Sequence, residues 1–244
     1  MKTIKLVLSL LTVFLLSAPS MLSQTQPFQK GNWIVDAGVG FGNYASKSRT
    51  QTTYYTNQYN NNTYIGVDQD VPTDPMGSII IPVKIEYAIS NRFGVGLKFG
   101  QNNFLVNNND IYNTSSIRSR DFGVRFNFHL NTNEENDLFI ELILGSSNIR
   151  WLYNEFSNNN LSSLKGRGEY ISLGFNDRFY FTNHLGLLLH FSITRYYYQK
   201  FTPTYVSNPQ TQTNPPYNTT TYTINYINFD MIGINFGIGF TLKF

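Results

Sequence analysis

An eight-stranded antiparallel up-and-down β-barrel is the fold class the sequence predicts, and three observations predict it. Eight segments alternate apolar with small or polar residues at period two, the pattern of a strand with one apolar face. The connections between those segments alternate between short and long. The face opposite the apolar one is rich in Gly and carries isolated charges of both signs, unlike the uniformly hydrophilic outer face of a soluble sandwich. Hydrocarbon outside a closed cylinder satisfies all three, so the expected architecture is a single all-β transmembrane barrel domain.

Ahead of the first comb, Lys2 and Lys5 precede an apolar run at 6–16, followed by the small residues Ser17, Ala18 and Ser20. That order reads as a secretory signal peptide over 1–23, cleaved after Ser20 or Ser23. The run is shorter than the roughly 20 apolar residues a helical span needs. The barrel domain is then 24–244. Without the two leader lysines, the 18 basic and 15 acidic residues nearly balance, so nucleic acid is not an expected partner. The chain has no Cys, which excludes a disulfide framework and a lipidated N-terminal Cys.

The combs run in order. Trp33, Val35, Ala37, Val39 and Phe41 alternate with Asp36, Gly38, Gly40 and Gly42. Ile79, Ile81, Val83, Ile85, Tyr87 and Ile89 alternate with Lys84 and Glu86, and Phe93, Val95, Leu97 and Phe99 with glycines and Lys98. Phe122, Val124, Phe126, Phe128 and Leu130 oppose Asp121, Gly123, Arg125, Asn127 and His129. Leu138, Ile140, Leu142 and Leu144 oppose Phe139, Glu141 and Ile143. Ile171, Leu173, Phe175, Phe179 and Phe181 oppose Tyr170, Ser172, Asn176, Arg178 and Tyr180. Asp177 is the single charge on that apolar parity, where a bulge or the membrane edge is expected. Leu185, Leu187, Leu189, Phe191 and Ile193 oppose Gly186, His190, Ser192 and Thr194. The last comb places Ile232, Ile234, Phe236, Ile238, Phe240, Leu242 and Phe244 on one face, with Lys243 on the other.

Short connections fall around Asn91, at 131–136 and around Asn183; long polar loops are expected at about 45–77, 107–116, 152–166 and 199–225. In an outer-membrane barrel the short set is periplasmic, with both termini, and the long set extracellular. The loops hold Tyr54, Tyr55, Tyr59, Tyr64, Tyr217 and Tyr222, candidate surface contacts because Tyr is large, amphipathic and loses little entropy on immobilisation.

An eight-stranded barrel is narrow enough for side chains to fill it. Asp36, Lys84, Glu86, Lys98, Asp121, Arg125, Glu141, Arg178 and Lys243 share the inward parity. Their mixed signs predict compensating ion pairs and a plugged lumen, since an unpaired buried charge is costly and an ion pore favours one sign. Interfacial aromatic girdles are expected at both ends: Trp33, Tyr87, Phe93, Phe128, Phe181 and Phe244 near the turns, and Tyr44, Phe122, Trp151 and residues 196–198 near the loops.

On the segments "NWIVDAGVGFG" and "FGIGFTLKF", the chain resembles the small eight-stranded outer-membrane β-barrel proteins of Gram-negative bacteria. The resemblance implies outer-membrane lipid, including lipopolysaccharide, as surroundings. It also implies recognition of Phe240, Leu242 and Phe244 by the barrel-assembly machinery. No cofactor is implied, and any surface or envelope protein partner is left open.

His190-Phe191-Ser192 looks like the His-x-Ser of the outer-membrane lipid A 3-O-deacylases, where His activates a Ser nucleophile. Ile193-Thr194 replaces the Asn-Ala that follows in that family, no Glu occurs after Glu169, and both residues share the inward parity. The three His lack metal-ligand spacing. The expected function is therefore non-enzymatic, a structural or surface-interaction barrel, with a narrow solute channel as the alternative and a lipid A hydrolase using His190 and Ser192 as the second.

Overall fold

Every alternating comb forms a strand. The computed structural model describes residues 27–244 except 57–61, 66–68, 106–113, 133–135, 155–160, 203–209 and 215–216, so the leader at 1–23 lies outside the described residues. The strands are β1 (Trp33–Thr56), β2 (Asn62–Ile65), β3 (Gln69–Ala88), β4 (Phe93–Phe104), β5 (Thr114–Thr132), β6 (Asn136–Asn154), β7 (Leu161–Tyr180), β8 (Leu185–Thr202), β9 (Gln210–Asn214) and β10 (Tyr217–Lys243). Among the described residues the long strands β1, β3 to β8 and β10 pair antiparallel in chain order. β10 then returns onto β1 from Ile34↔Lys243 to Thr56↔Thr221, closing an eight-stranded cylinder. Closure removes the unpaired edges that hydrocarbon could not satisfy. The short strands β2 and β9 add hairpins on the far ends of β1 and β10.

Two side-chain hydroxyls shape the short turns. Ser90 Oγ accepts from the backbone N–H of Arg92 and Phe93 at 3.2 and 3.0 Å. Thr182 Oγ1 accepts from those of His184 and Leu185 at 3.3 and 3.0 Å. Such local bonds are the turn-forming property of Ser and Thr. The seam is fastened at the same end, where Trp33 and Phe244 exchange backbone hydrogen bonds of 3.1 and 2.8 Å.

Strand extends well past the predicted loop starts. β1 continues through 45–56 and β3 begins at Gln69, inside the segment read as a loop at 45–77. β5, β7 and β10 likewise begin inside, or border on, the segments read as loops. Apolar alternation marks only the part of a strand that faces hydrocarbon. Polar β-branched runs pair equally well in water, and "TQTTYYT" and "NTTTYTIN" carry no comb. Asp177 introduces no bulge, since its register to Leu138 and Leu189 is continuous; it sits on the outer face three residues before β7 ends, near the turn-side edge of the wall.

At the turn end the chain enters through Gly31, whose φ of 95° is the left-handed region glycine adopts without a Cβ clash. The bend, held by Gly31 N–H to Ala88 O at 2.9 Å, carries Phe28 into the bore. There Phe28 is fully buried and stacks on His129 with centroids 3.4 Å apart.

Candidate functional site

The outer wall is apolar from Trp33 round to Phe244. Phe41, Ile81, Phe126, Leu173, Phe191, Phe236 and Phe240 are all exposed, at 62%, 50%, 45%, 56%, 45%, 55% and 63%. Soluble monomers rarely expose so continuous an apolar surface, and larger exposed patches mark protein or membrane contacts. The predicted turn-side girdle Trp33, Tyr87, Phe93, Phe128, Phe181 and Phe244 is all exposed on this face. The loop-side girdle is corrected: Tyr44, Tyr196 and Tyr198 are buried in the bore, Trp151 packs partly against the same cluster, and only Phe122 and Tyr197 face outward. The reason is parity. Tyr196 and Tyr198 stand an even number of residues from Ser192, and Tyr44 from Asp36, so all three take the inward side.

The turn half of the bore holds a dense ion network. Arg178, on β7, donates from Nε to Asp36 Oδ1 at 3.1 Å, from Nη2 to Asp36 Oδ2 and Glu86 Oε2 at 2.8 and 2.6 Å, and from Nη1 to Asp137 Oδ2 at 2.9 Å. Arg125, on β5, reaches Asp36 Oδ2 at 3.0 Å and Glu141 Oε2 at 2.6 Å. Lys84, on β3, donates to Glu141 Oε1 at 2.6 Å. His129 bridges Glu86 Oε1 at 3.0 Å and Asp137 Oδ1 at 2.5 Å. Phe139 floors the cluster, its ring centroid 4.2 Å from the Arg178 guanidinium carbon and 5.9 Å from that of Arg125. All of these groups are buried. Room for Glu86 is left by Gly94, where a Cβ would fall 1.9 Å from Glu86 Oε1. Asp137 and His129 were not foreseen as members, although Asp137 shares the inward parity of Glu141.

The loop half is aromatic. Tyr44, Tyr170, Tyr196 and Tyr198 pack with Phe104, Phe229 and Met231, the Tyr196 and Tyr198 rings lying parallel with centroids 5.9 Å apart. Asp121 sits among them, and among the described residues no cation pairs with it. It accepts from Ser119 and Ser147 hydroxyls at 3.1 and 2.6 Å, from Asn102 Nδ2 at 2.8 Å and from Tyr196 OH at 2.8 Å. Lys98 places Nζ 5.1 Å from the Tyr170 ring centroid, and Lys243, by the turn-side mouth, places its own 5.2 Å from that of Tyr180. Thus six of the nine predicted lumenal charges (Asp36, Lys84, Glu86, Arg125, Glu141 and Arg178) join one network. Asp121, Lys98 and Lys243 find other partners.

Between the halves, Ser192 Oγ lies 3.1 Å from His190 Nε2, and His190 Nδ1 lies 2.5 Å from Asn176 Oδ1. Lys84 Nζ is 3.5 Å from the same Nδ1. The cavity beside them, against Gly38 and Gly237, holds about 20 Å³, room for one water. Ser192 is buried in the bore and not on the lipid face. Among the described residues no group of three His, Asp or Glu side chains is arranged to hold a metal ion.

Phe240 and Phe244 project outward from the end of β10, with Leu242 between them. Tyr54, Tyr55, Tyr64, Tyr217 and Tyr222 lie on β1, β2 and β10 beyond the apolar wall, where Tyr54 pairs with Tyr64 and Tyr55 with Tyr222. Tyr59 lies outside the described residues.

No protein-family model and no curated protein matches the chain. Solved structures of similar shape include the outer membrane protein OprG from Pseudomonas aeruginosa, 12% identical, covering 89% of this chain and 97% of that one at a TM-score of 0.48. Neisserial surface protein A is 8% identical, covering 83% and 97% at 0.41. The outer membrane protease OmpT from Escherichia coli is 10% identical, covering 92% and 99% at 0.37. The likeness is one of fold alone: a closed, all-antiparallel β-barrel.

Proposed function

We propose that the protein is a non-enzymatic outer-membrane barrel with a plugged lumen, acting through its outer wall and loop end as a structural or surface-interaction element. One observation carries the reading. Arg125 and Arg178, both fully buried, reach across the bore to carboxylates on β1, β3 and β6, so that paired charged side chains occupy its turn half. Buried ion pairs of this geometry are costly to break, so the plug is held shut. The apolar wall supports an outer-membrane location, with the short turns periplasmic and the loops outside. Phe240, Leu242 and Phe244 serve as the assembly signal, and Tyr54, Tyr55, Tyr59, Tyr64, Tyr217 and Tyr222 as surface contacts for a partner protein.

Planar-bilayer recording tests the plug: purified protein is expected to give no conductance steps above background. Discrete steps in the wild type would instead establish the channel reading. The Ser192–His190–Asn176 hydrogen-bond chain favours a second reading, a hydrolase. It requires an acyl chain to reach a site with room for one water. Ser192→Ala is therefore expected to leave lipid A acylation unchanged in cells producing the protein.

A further inference from the structure

Just beyond the loop-side rim of the apolar wall, five cations face outward on three adjacent strands. Arg120 follows Phe122, the last apolar outward residue of β5, by one outward step, and Arg118 follows Arg120 by another. The register sets Arg118 directly opposite Arg150 of β6, and Arg150 directly opposite Lys165 of β7. Arg167 lies one outward step from Lys165. All five are exposed and border one shallow groove of about 670 Å³.

Three like charges in direct cross-strand register repel one another and destabilise the sheet unless something neutralises them. No described residue does so here. Among the described residues no carboxylate pairs with any of the five, and Arg167 donates only to Ser146 Oγ at 3.3 Å. Glu169, two residues from Arg167 on the same face, is not within ion-pair distance. Arg195, further round the rim, shows the contrast: it is neutralised by Asp230 at 2.6 and 3.1 Å. Four of the five are Arg, whose planar fork takes phosphate oxygens two at a time. Arg120 and Arg118 stand one and two outward steps past Phe122 on β5, Arg167 and Lys165 two and three past Ile171 on β7, and Arg150 three past Leu144 on β6. That is the height of lipid headgroups if the apolar wall spans the hydrocarbon.

We propose that Arg118, Arg120, Arg150, Lys165 and Arg167 form a binding patch for the phosphate groups of a phosphorylated lipid headgroup in the leaflet around the loop end of the barrel. This rests on the outer-membrane reading above and goes beyond it by assigning the site and the ligand chemistry. The occupant is membrane lipid and not a soluble anion, because Arg120 and Arg118 continue the outward face of β5 directly from the exposed Phe122, so the cations border the apolar wall.

The test uses the full barrel in detergent, titrated with bis-phosphorylated lipid A and followed by native mass spectrometry. The wild type is expected to hold the lipid. The triple variant Arg118→Gln, Arg150→Gln, Lys165→Gln should bind roughly a hundredfold more weakly, from the usual contribution of each cation at an anionic surface. Dephosphorylated lipid A should not be held by either, and inorganic phosphate should not compete. The turn-end variant Lys30→Gln, Arg92→Gln should bind as the wild type does. Equal binding by the wild type and the triple variant, equal binding of the dephosphorylated lipid, or equal loss in the turn-end variant would overturn the patch. Heat-modifiable electrophoretic migration checks that each variant is folded. Insertion of the wild type into vesicles, scored by resistance to carbonate extraction, is read separately: failure there sinks the membrane reading, whereas insertion without phosphate preference sinks only the patch.

Discussion

The two halves of the bore solve the same problem with different chemistry. Near the turns, Asp36, Glu86, Asp137 and Glu141 are met by Arg125, Arg178, Lys84 and His129. Near the loops, among the described residues, Asp121 is met by hydroxyl and amide donors within a shell of tyrosines. The first half is therefore a set of charges that cannot be removed singly. The second is a packed aromatic core with one carboxylate serving as its hydrogen-bond hub. A barrel closed by charge should fail abruptly when one cation is lost, while one closed by aromatic packing should fail by degrees.

The largest expected effect is at Arg178. Arg178→Met leaves Asp36, Glu86 and Asp137 facing one another without their shared donor. The folded barrel is expected to lose about 3–5 kcal/mol, measured by urea unfolding in detergent with tryptophan fluorescence. A loss no larger than that of a surface Arg would dissolve the distinction between the halves. Next comes Asp121→Asn, which keeps shape but turns an amide towards donors already pointing at that oxygen. About 1.5–3 kcal/mol is expected, and an unchanged midpoint would show that the hub is dispensable. The smallest is Tyr196→Phe, which removes one hydroxyl from the hub and keeps the ring between Tyr44 and Tyr198. About 0.5–1.5 kcal/mol is expected in the same assay.

Period-two alternation carried the barrel. It located the hydrocarbon-facing part of every long strand, because a strand with lipid on one side and a crowded bore on the other cannot avoid alternating. It did not mark the extensions of β1 and β10 beyond the wall, where Thr, Asn, Gln and Tyr predominate in the sequence and no apolar comb runs. Tyr44, Tyr196 and Tyr198 were placed in a girdle by residue type, although their parity already assigned them to the bore. The charged residues of the plug were legible one by one, but their pairing was not. Asp36 and Arg178 lie 142 positions apart on β1 and β7, and only closure of the cylinder brings them together. The basic patch was missed for a related reason. Arg118, Arg150 and Lys165 sit outside the apolar combs, and only register reveals that they face each other.

The most direct measurement is the accessibility of nitroxide labels placed singly at Leu173 and Phe236, with the barrel reconstituted in lipid vesicles. Both side chains lie on the outer wall. Collision with dissolved oxygen should far exceed collision with a water-soluble nickel chelate at each site, as hydrocarbon contact requires. Chelate collisions matching or exceeding those of oxygen would place water against that wall and contradict a membrane-spanning cylinder with a filled bore.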